Sequence, residues 1–451
     1  MKRAFVLLTL LIVASNILSG APASKPNVIF LLADDLGCGD LHCYGHPYSR
    51  TPNLDKLASE GTRFMQTYAT GCTCCPARTG WMSSRFPATY PTYPANGGFA
   101  DRTTITDLLK KQGYATGHFG KWHIGPSQKP GTYGIDEIGG AEEDEGGRKK
   151  HGDERGRDAF IYDAAIRFIE KHKDGPFYLN VWGHISHNPV NPVDPLVDRW
   201  STLKVKDEDF PPQMLAKFGD ARQAGGDVDD AMRRYLADVE SLDDAVGRLL
   251  KKLDELGLRE NTIVAFSSDQ GAEMGKAGNG GLRINLMGCN GTLRGGKHTN
   301  WEGGVRVPFI LRWPGHVPVG HTDNDSVLSG ADWLPTLCNI TGTAFNAADF
   351  DGEVATEAWL GQKPHVRAKP LLWKTSTAGS ESVIREGPWK LVHPTRKRAG
   401  EIELYNVLAD SAEEHDVAAQ HPDIVKQLSS KVEAWVATLP KDYIKANDKE
   451  D

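Results

Sequence analysis

The run from Val28 to Ala33 is apolar at every position and ends on Asp34-Asp35. A strand with one face in water alternates polar and apolar residues. An unbroken short apolar run bounded by polar residues belongs to a strand covered on both faces, as in parallel sheets. The pattern recurs. Tyr114 to His118, Phe177 to Trp182 and Thr262 to Phe266 read as strands that follow helical stretches, and Pro308 to Trp313 reads as another. Helices are expected over Ile105 to Lys111, stopped by Gly113, and from Asp158 to about Lys171. The clearest helix spans Tyr235 to Leu256. Its stripe of Leu236, Val239, Leu242, Val246, Leu249 and Leu253 recurs every three or four residues, and Gly257 takes the C′ position. Alternating helices and apolar strands predict an α/β fold with a large, mostly parallel sheet flanked by helices.

Such sheets hold ligands outside the carboxyl ends of their strands. The polar groups of this sequence gather there: Asp34-Asp35, Lys121-Trp122-His123, His184 with His187, and Asp269-Gln270 each follow an expected strand. Packing alone does not account for four such ends. At the start of the chain, Lys2 and Arg3 precede an apolar run from Ala4 to Val13, and Ala21-Pro22-Ala23 offers a small-residue cleavage site. That is the order of a secretory signal over residues 1–23, so the expected location is secreted or periplasmic. The run is too short to span a membrane, and no later stretch is long enough. Residues 24–364 form the expected catalytic domain. From about His365 short strand-like pieces and a final amphipathic helix, Asp423 to Leu439, predict a smaller α+β domain over 365–451. Glu142 to Asp158, rich in charge and glycine, reads as a solvated insertion.

Basic side chains number 52 against 59 acidic ones, a net charge of −7, which lacks the positive field that nucleic-acid binding needs. Seven cysteines are too few for a disulfide scaffold, and their pairing cannot be read from the sequence. Asn290-Gly291-Thr292 and Asn339-Ile340-Thr341 are glycosylation sequons.

Cys74-Cys75-Pro76-Ala77-Arg78 is the pivotal segment. Pro76 suits the first turn of a helix, whose free N–H groups would face an anion, with Arg78 as a fixed cation beside them. With Ser83-Ser84-Arg85 behind it, the segment resembles the signature of type I sulfatases. The resemblance continues through Asn27 to Gly37, Gly120 to Gly125, Ser267 to Gly271, Leu293 to Pro308, Asp332 to Thr336 and Glu403 to Asn406. It implies an alkaline-phosphatase-like sulfatase fold and hydrolysis of sulfate esters, on sulfated carbohydrate. It further implies that Cys74 is oxidised to formylglycine by a formylglycine-generating enzyme, with Arg78 steadying it.

Asp34, Asp35, Asp269 and Gln270 offer only oxygen ligands, the set for a hard cation. The resemblance makes that cation Ca²⁺, with Mg²⁺ as the other candidate, and adds the modified Cys74 to its ligands. Lys121, Lys297 and Arg78 can neutralise the sulfate as charge moves onto the leaving oxygen. By the resemblance, a hydroxyl of hydrated formylglycine attacks sulfur with Asp269 as base, and His187 protonates the leaving alcohol alongside Lys297. His123 then takes the second hydroxyl's proton, and sulfate leaves. Ser186-His187-Asn188-Pro189 departs from the Pro-His-x-Pro of many relatives, so His184 rivals His187 as the acid. Gln270 stands where many carry Asn or His. Two other readings stay open: a phosphonate or phosphodiester hydrolase, and a non-catalytic glycan-binding relative. Specificity is assigned to the loops Phe86 to Ala100 and Asp136 to Asp158. The first carries Phe86, Tyr90, Tyr93 and Phe99, suited either to stacking on sugars or to packing.

Overall fold

The structure, a computed structural model, describes residues 25–93, 97–125, 129–139, 154–274, 284–374, 381–394 and 401–445. The expected signal segment and residues 142–153 of the charged insertion lie outside them. Nine strands form the main sheet among the described residues. The order is Leu328–Ser329, Thr62–Tyr68, Arg306–Arg312, Thr262–Ser268, Asn27–Ala33, Phe177–Trp182, Ala115–Gly120 and Glu137–Gly139, with His321–Asp323 on the flank of Thr62–Tyr68. Asn27–Ala33 lies at the centre, parallel to both neighbours, and every one of its residues is buried. The apolar run therefore has the two covered faces that its composition requires.

One strand runs the other way. Arg306–Arg312 is antiparallel to Thr62–Tyr68 and to Thr262–Ser268. Thr62–Tyr68 was not visible in the sequence because Arg63, Gln66 and Thr67 break its apolar content; Arg63 and Met65 are only half-buried. Its direction matches that of Asn27–Ala33, so its carboxyl end faces the same edge of the sheet. Because Arg306–Arg312 is reversed, its amino end also faces that edge, and the segment before it joins the site.

Helices cover both faces. The long one spans Val228–Glu255, two turns earlier than the leucine stripe alone marks. Asp227 caps it by accepting from the Asp230 amide, and Val228, Ala231 and Met232 extend its buried face. Gly257, at φ 67°, takes the turn beyond its last residues. Four antiparallel strands, Leu371–Lys374, Ser382–Glu386, Trp389–His393 and Glu403–Asn406, form a second sheet. Pro422–Thr438 packs on it through Leu428 and Val432. Leu371, Trp373 and Val383 of that sheet meet Tyr68, Cys72 and Val305 of the larger body. Of the aromatic loop, Phe86, Tyr90 and Phe99 are buried, so packing accounts for them; Tyr93 is half-buried. No helix among the described residues is long and apolar enough to cross a membrane. Asn290 of the first sequon is buried, accepting from the Ala272 amide and donating to the Gly295 carbonyl, while Asn339 is exposed.

Candidate active site

The site lies at the carboxyl edge of the main sheet. Cys74 is the first residue of the helix Cys74–Ser83, with Pro76 in its first turn, so the thiol sits where unpaired helical N–H groups point. The Cys74 thiol donates to Asp34 Oδ1 at 3.4 Å and lies 3.9 Å from Asp35 Oδ1. Cys75, one residue on, turns into the apolar core with Trp81 and Met82. Asp34, Asp35, Cys74 and Asp269 each bring one ligand atom within 4.8 Å of the others, and a ring nitrogen of His187 joins Asp35 and Cys74 at the same range.

Three cations bind this group. Arg78 reaches Asp269 Oδ2 through Nε at 2.9 Å and Nη2 at 2.8 Å, and donates to the Lys121 carbonyl at 2.9 Å. Lys121 Nζ donates to Asp34 Oδ2 at 2.8 Å and sits 3.6 Å from Cys74 Sγ. Lys297 Nζ donates to Asp35 Oδ2 at 2.8 Å. Asp34, Asp35, Arg78, Asp269, Gln270 and Cys74 are all almost completely buried. Burial alone would raise the Asp34 pKa, but Lys121, His187, Arg78 and Lys297 hold it well below the usual carboxylate range. Asp35 is pushed up to about 6 by burial and by the neighbouring Asp34 charge. Asp269 rises to about 7 through burial, which Arg78 offsets only in part. Three matched cations therefore leave two carboxyls short of positive charge.

Gln270 tests whether the set fits a metal. Its amide nitrogen points at Asp35 Oδ1 and lies 3.5 Å from Cys74 Sγ, while its Oε1 is buried with no hydrogen-bond partner. Turning the amide over would aim its oxygen at a carboxylate, which is favourable only with a cation between them. Asp34, Asp35, Asp269 and Gln270 thus fit a hard, oxygen-liking cation.

Backbone geometry around the cluster is special. Asp35, His123 and His298 are non-glycine residues at φ 62°, 57° and 71°, conformations that cost energy and collect at functional sites. The Asp35 amide donates to Asp269 Oδ1 at 3.1 Å, which ties the two acidic turns together. Gly271 lets the Lys297-bearing segment close on them, since a Cβ there would fall 1.7 Å from the Gly303 carbonyl oxygen. His123 sits two residues past Lys121, at the end of the same strand.

The two rival histidines separate. His184 turns away: its Nδ1 is 3.5 Å from Asp158 Oδ1, and its amide donates to the same carboxylate. His187 faces the cluster. Its Nδ1 is 2.7 Å from the Asn188 carbonyl oxygen. Asp34 pulls its pKa up, but burial together with Lys121 and Lys297 brings it below the ordinary value.

Arg157 and Asp158, which composition places in a solvated insertion, are a correction. Asp158 is buried and Arg157 nearly so. Arg157 donates to the carbonyls of His184, His187 and Pro189 at 3.1, 2.8 and 3.0 Å, and pairs with Asp238 of the long helix at 2.9 Å. The pair holds the His187 loop from beneath. Asp40 was likewise missed: it accepts from Gly37, Cys289 and Tyr235, and Tyr235 Oη lies 3.0 Å from Ser186 Oγ. Neither carries a sequence signature, because their partners are distant stretches of backbone.

The family model described as Sulfatase matches residues 26–343. Human arylsulfatase A is 31% identical over 390 residues, covering 76% of this chain and 69% of its own. The N-acetylgalactosamine-6-O-sulfatase of Bacteroides thetaiotaomicron is 26% identical over 515 residues, covering 92% of this chain and 94% of its own. Among solved structures, that of Ps i-CgsB is 25% identical with a TM-score of 0.76, covering 94% of this chain and 96% of that one.

Proposed function

The chain belongs to the sulfatase family and is a sulfuric ester hydrolase, and from that premise we propose that it cleaves sulfate esters of carbohydrates with a formylglycine made from Cys74. A divalent cation, Ca²⁺ ahead of Mg²⁺, would be held by Asp34, Asp35, Asp269, Gln270 and the modified Cys74. The observation that carries the reading is the convergence of Cys74, four oxygen-donor side chains and three cations at one helix N-terminus. The carbohydrate substrate rests on the Bacteroides relative, whose name specifies a sulfated amino sugar and which matches nearly the whole chain.

Oxidised Cys74 would supply a hydrated aldehyde whose hydroxyl is the nucleophile, and the cation would supply Lewis-acid charge beside it. The remaining work belongs to the chain's own side chains. Lys121, Lys297 and Arg78 offset the charge that builds on the sulfate oxygens and the leaving oxygen. Asp269, tied to Arg78 and to the Asp35 amide, would take the nucleophile's proton. His187 gives a proton to the departing alcohol with Lys297 beside it, and His123 takes one when sulfate is released. We assign the enzyme to a secreted or periplasmic setting, which is where residues 1–23 would send it.

The test is mass spectrometry of the peptide that ends at Arg78, on protein made in a host that matures sulfatases. The expected result is a Cys74 that has exchanged sulfur for oxygen as an aldehyde, with Cys75 still a thiol, and activity that disappears on exhaustive chelation. A fully active protein with an unmodified Cys74 overturns the reading.

A further inference from the structure

The catalytic cations are all committed to carboxylates, but one ammonium group at the same edge of the molecule is not. Lys374 ends the first strand of the small sheet. Its only hydrogen bond among the described residues is a long one to Ser382 Oγ at 3.4 Å, and no carboxylate there pairs with it. Burial lowers its pKa, with no neighbouring acid to offset the effect. Asn300 is 2% exposed, and neither Oδ1 nor Nδ2 has a hydrogen-bond partner. Both residues line one narrow cavity, together with Thr70, Gly71, Tyr93 and Trp373. A buried amide with nothing to bind is costly, so its retention beside an ammonium that no carboxylate among the described residues pairs points to a ligand.

The cavity adjoins the catalytic centre. Thr70 and Gly71 leave the carboxyl end of Thr62–Tyr68 and lead into Cys74, and four residues span at most ~14 Å. Asn300 follows Lys297 by three residues, and the His298 amide donates to the Cys72 carbonyl at 2.9 Å, which fastens the two loops side by side. Trp373 Nε1 donates to the Ala69 carbonyl at 2.8 Å, fixing the strand that carries Lys374 against the same segment.

We propose that Lys374 and Asn300 form a subsite for a second anionic group on the saccharide that carries the scissile sulfate. The substrate class is therefore a polyanionic sugar, bearing either a carboxylate or a further sulfate near the ester that is cut. Both groups present oxygens that an ammonium and an amide N–H can bind together. The inference rests on the carbohydrate reading above.

Three sulfated disaccharides test it: one with no other charge, one with a uronate carboxylate, and one with a second sulfate. Lys374→Ala should lower the preference in kcat/KM for a doubly charged probe over the singly charged one by roughly 10- to 100-fold, through KM, as loss of a charged hydrogen bond does. Lys374→Arg should restore part of it. The probe whose preference falls identifies the second group. If the parent's preference is unaltered by Lys374→Ala, or if all three probes lose equally, the subsite is refuted. If the parent hydrolyses an aryl sulfate but none of the three sugars, the carbohydrate reading fails and takes this inference with it.

Discussion

Lys297 and Lys390 are both ammonium groups sealed inside the fold, and each closes a cluster of carboxylates drawn from distant parts of the chain. Lys390, on the small sheet, lies 3.0 Å from Glu302 Oε1 and 2.9 Å from Glu413 Oε1, and all three side chains are buried. Tyr68 Oη donates to Glu302 Oε2 at 2.6 Å, with Arg306 at 3.5 Å. Burial would raise the Glu302 pKa, yet Lys390, Arg385 and Arg306 bring it down to about 2. Beside it Glu413 is raised by burial and by the Glu302 charge. Around Lys297 two carboxyls are raised against one depressed: Asp35 is pushed up to about 6 and Asp269 to about 7, while Asp34 is held low. A depressed carboxyl marks a charge the fold has satisfied. Two raised carboxyls against the single one beside Lys390 leave the catalytic cluster with more room for positive charge. The first kind of cluster joins the two sheets; the second awaits a cation and a substrate.

The sharpest way to break this contrast starts at His187. A sugar hydroxyl needs a proton as it leaves and an activated phenol needs almost none. His187→Ala should therefore slow sugar-sulfate hydrolysis by roughly 10²–10⁴, the usual worth of general acid catalysis, while aryl-sulfate hydrolysis changes far less. His184→Ala should show no such leaving-group dependence, since that ring is held by Asp158. The dependence appearing with His184→Ala instead would reverse the assignment.

Next come the two lysines. Lys390→Ala leaves Glu302 and Glu413 buried without their ammonium and should cost about 3–5 kcal/mol of stability in a urea melt, with turnover per folded molecule retained. Lys297→Ala and Lys121→Ala should each lower kcat by about 10²–10³, as loss of a transition-state charge donor does, with a smaller fall in melting temperature than Lys390→Ala, since Asp35 at about 6 can take up a proton when Lys297 is lost. Equal losses of stability at Lys297 and Lys390 would erase the distinction drawn here.

The smallest effect is in acid. Glu302 is depressed, so it contributes stability above its unfolded value of 4.5, and that contribution is lost as pH falls from there through about 2. Glu302→Gln should flatten the acid limb of the stability profile in that window, at the expense of stability at neutral pH. A limb of unchanged slope would show that other groups set it.

The strand ends were legible because an unbroken apolar run that stops on acidic residues has few other uses. Asp34, Asp35, Asp269 and Gln270 could be grouped for that reason before any geometry was known. The choice between His184 and His187 could not be made. They are three residues apart, and only the path of the loop decides which ring meets Asp158 and which meets Cys74. Charge density misplaced Arg157 and Asp158 in solvent. Their partners are carbonyls and amides of residues 184–189 and a carboxylate on another helix, and backbone groups leave no trace in composition. The strand Arg306–Arg312 was legible as a strand over Pro308 to Trp313, but its reversal was not, since an apolar run carries no direction.

Cys74 is 3% exposed, and its sulfur is enclosed by groups contributed from as far along the chain as Gln270 and Lys297. Asp35 and Lys297, which close the enclosure, are 262 residues apart in sequence. A ribosome adding about 5–20 residues per second needs roughly 10–45 s to pass from Cys74 to Lys297. For all of that time the wall around the thiol does not exist. The proposed oxidation of Cys74, if another protein performs it, would therefore have to come before the sheet is complete. On that reading, docking of the last strands fixes whichever state Cys74 then carries, and the timing of synthesis would set how much active enzyme a cell obtains.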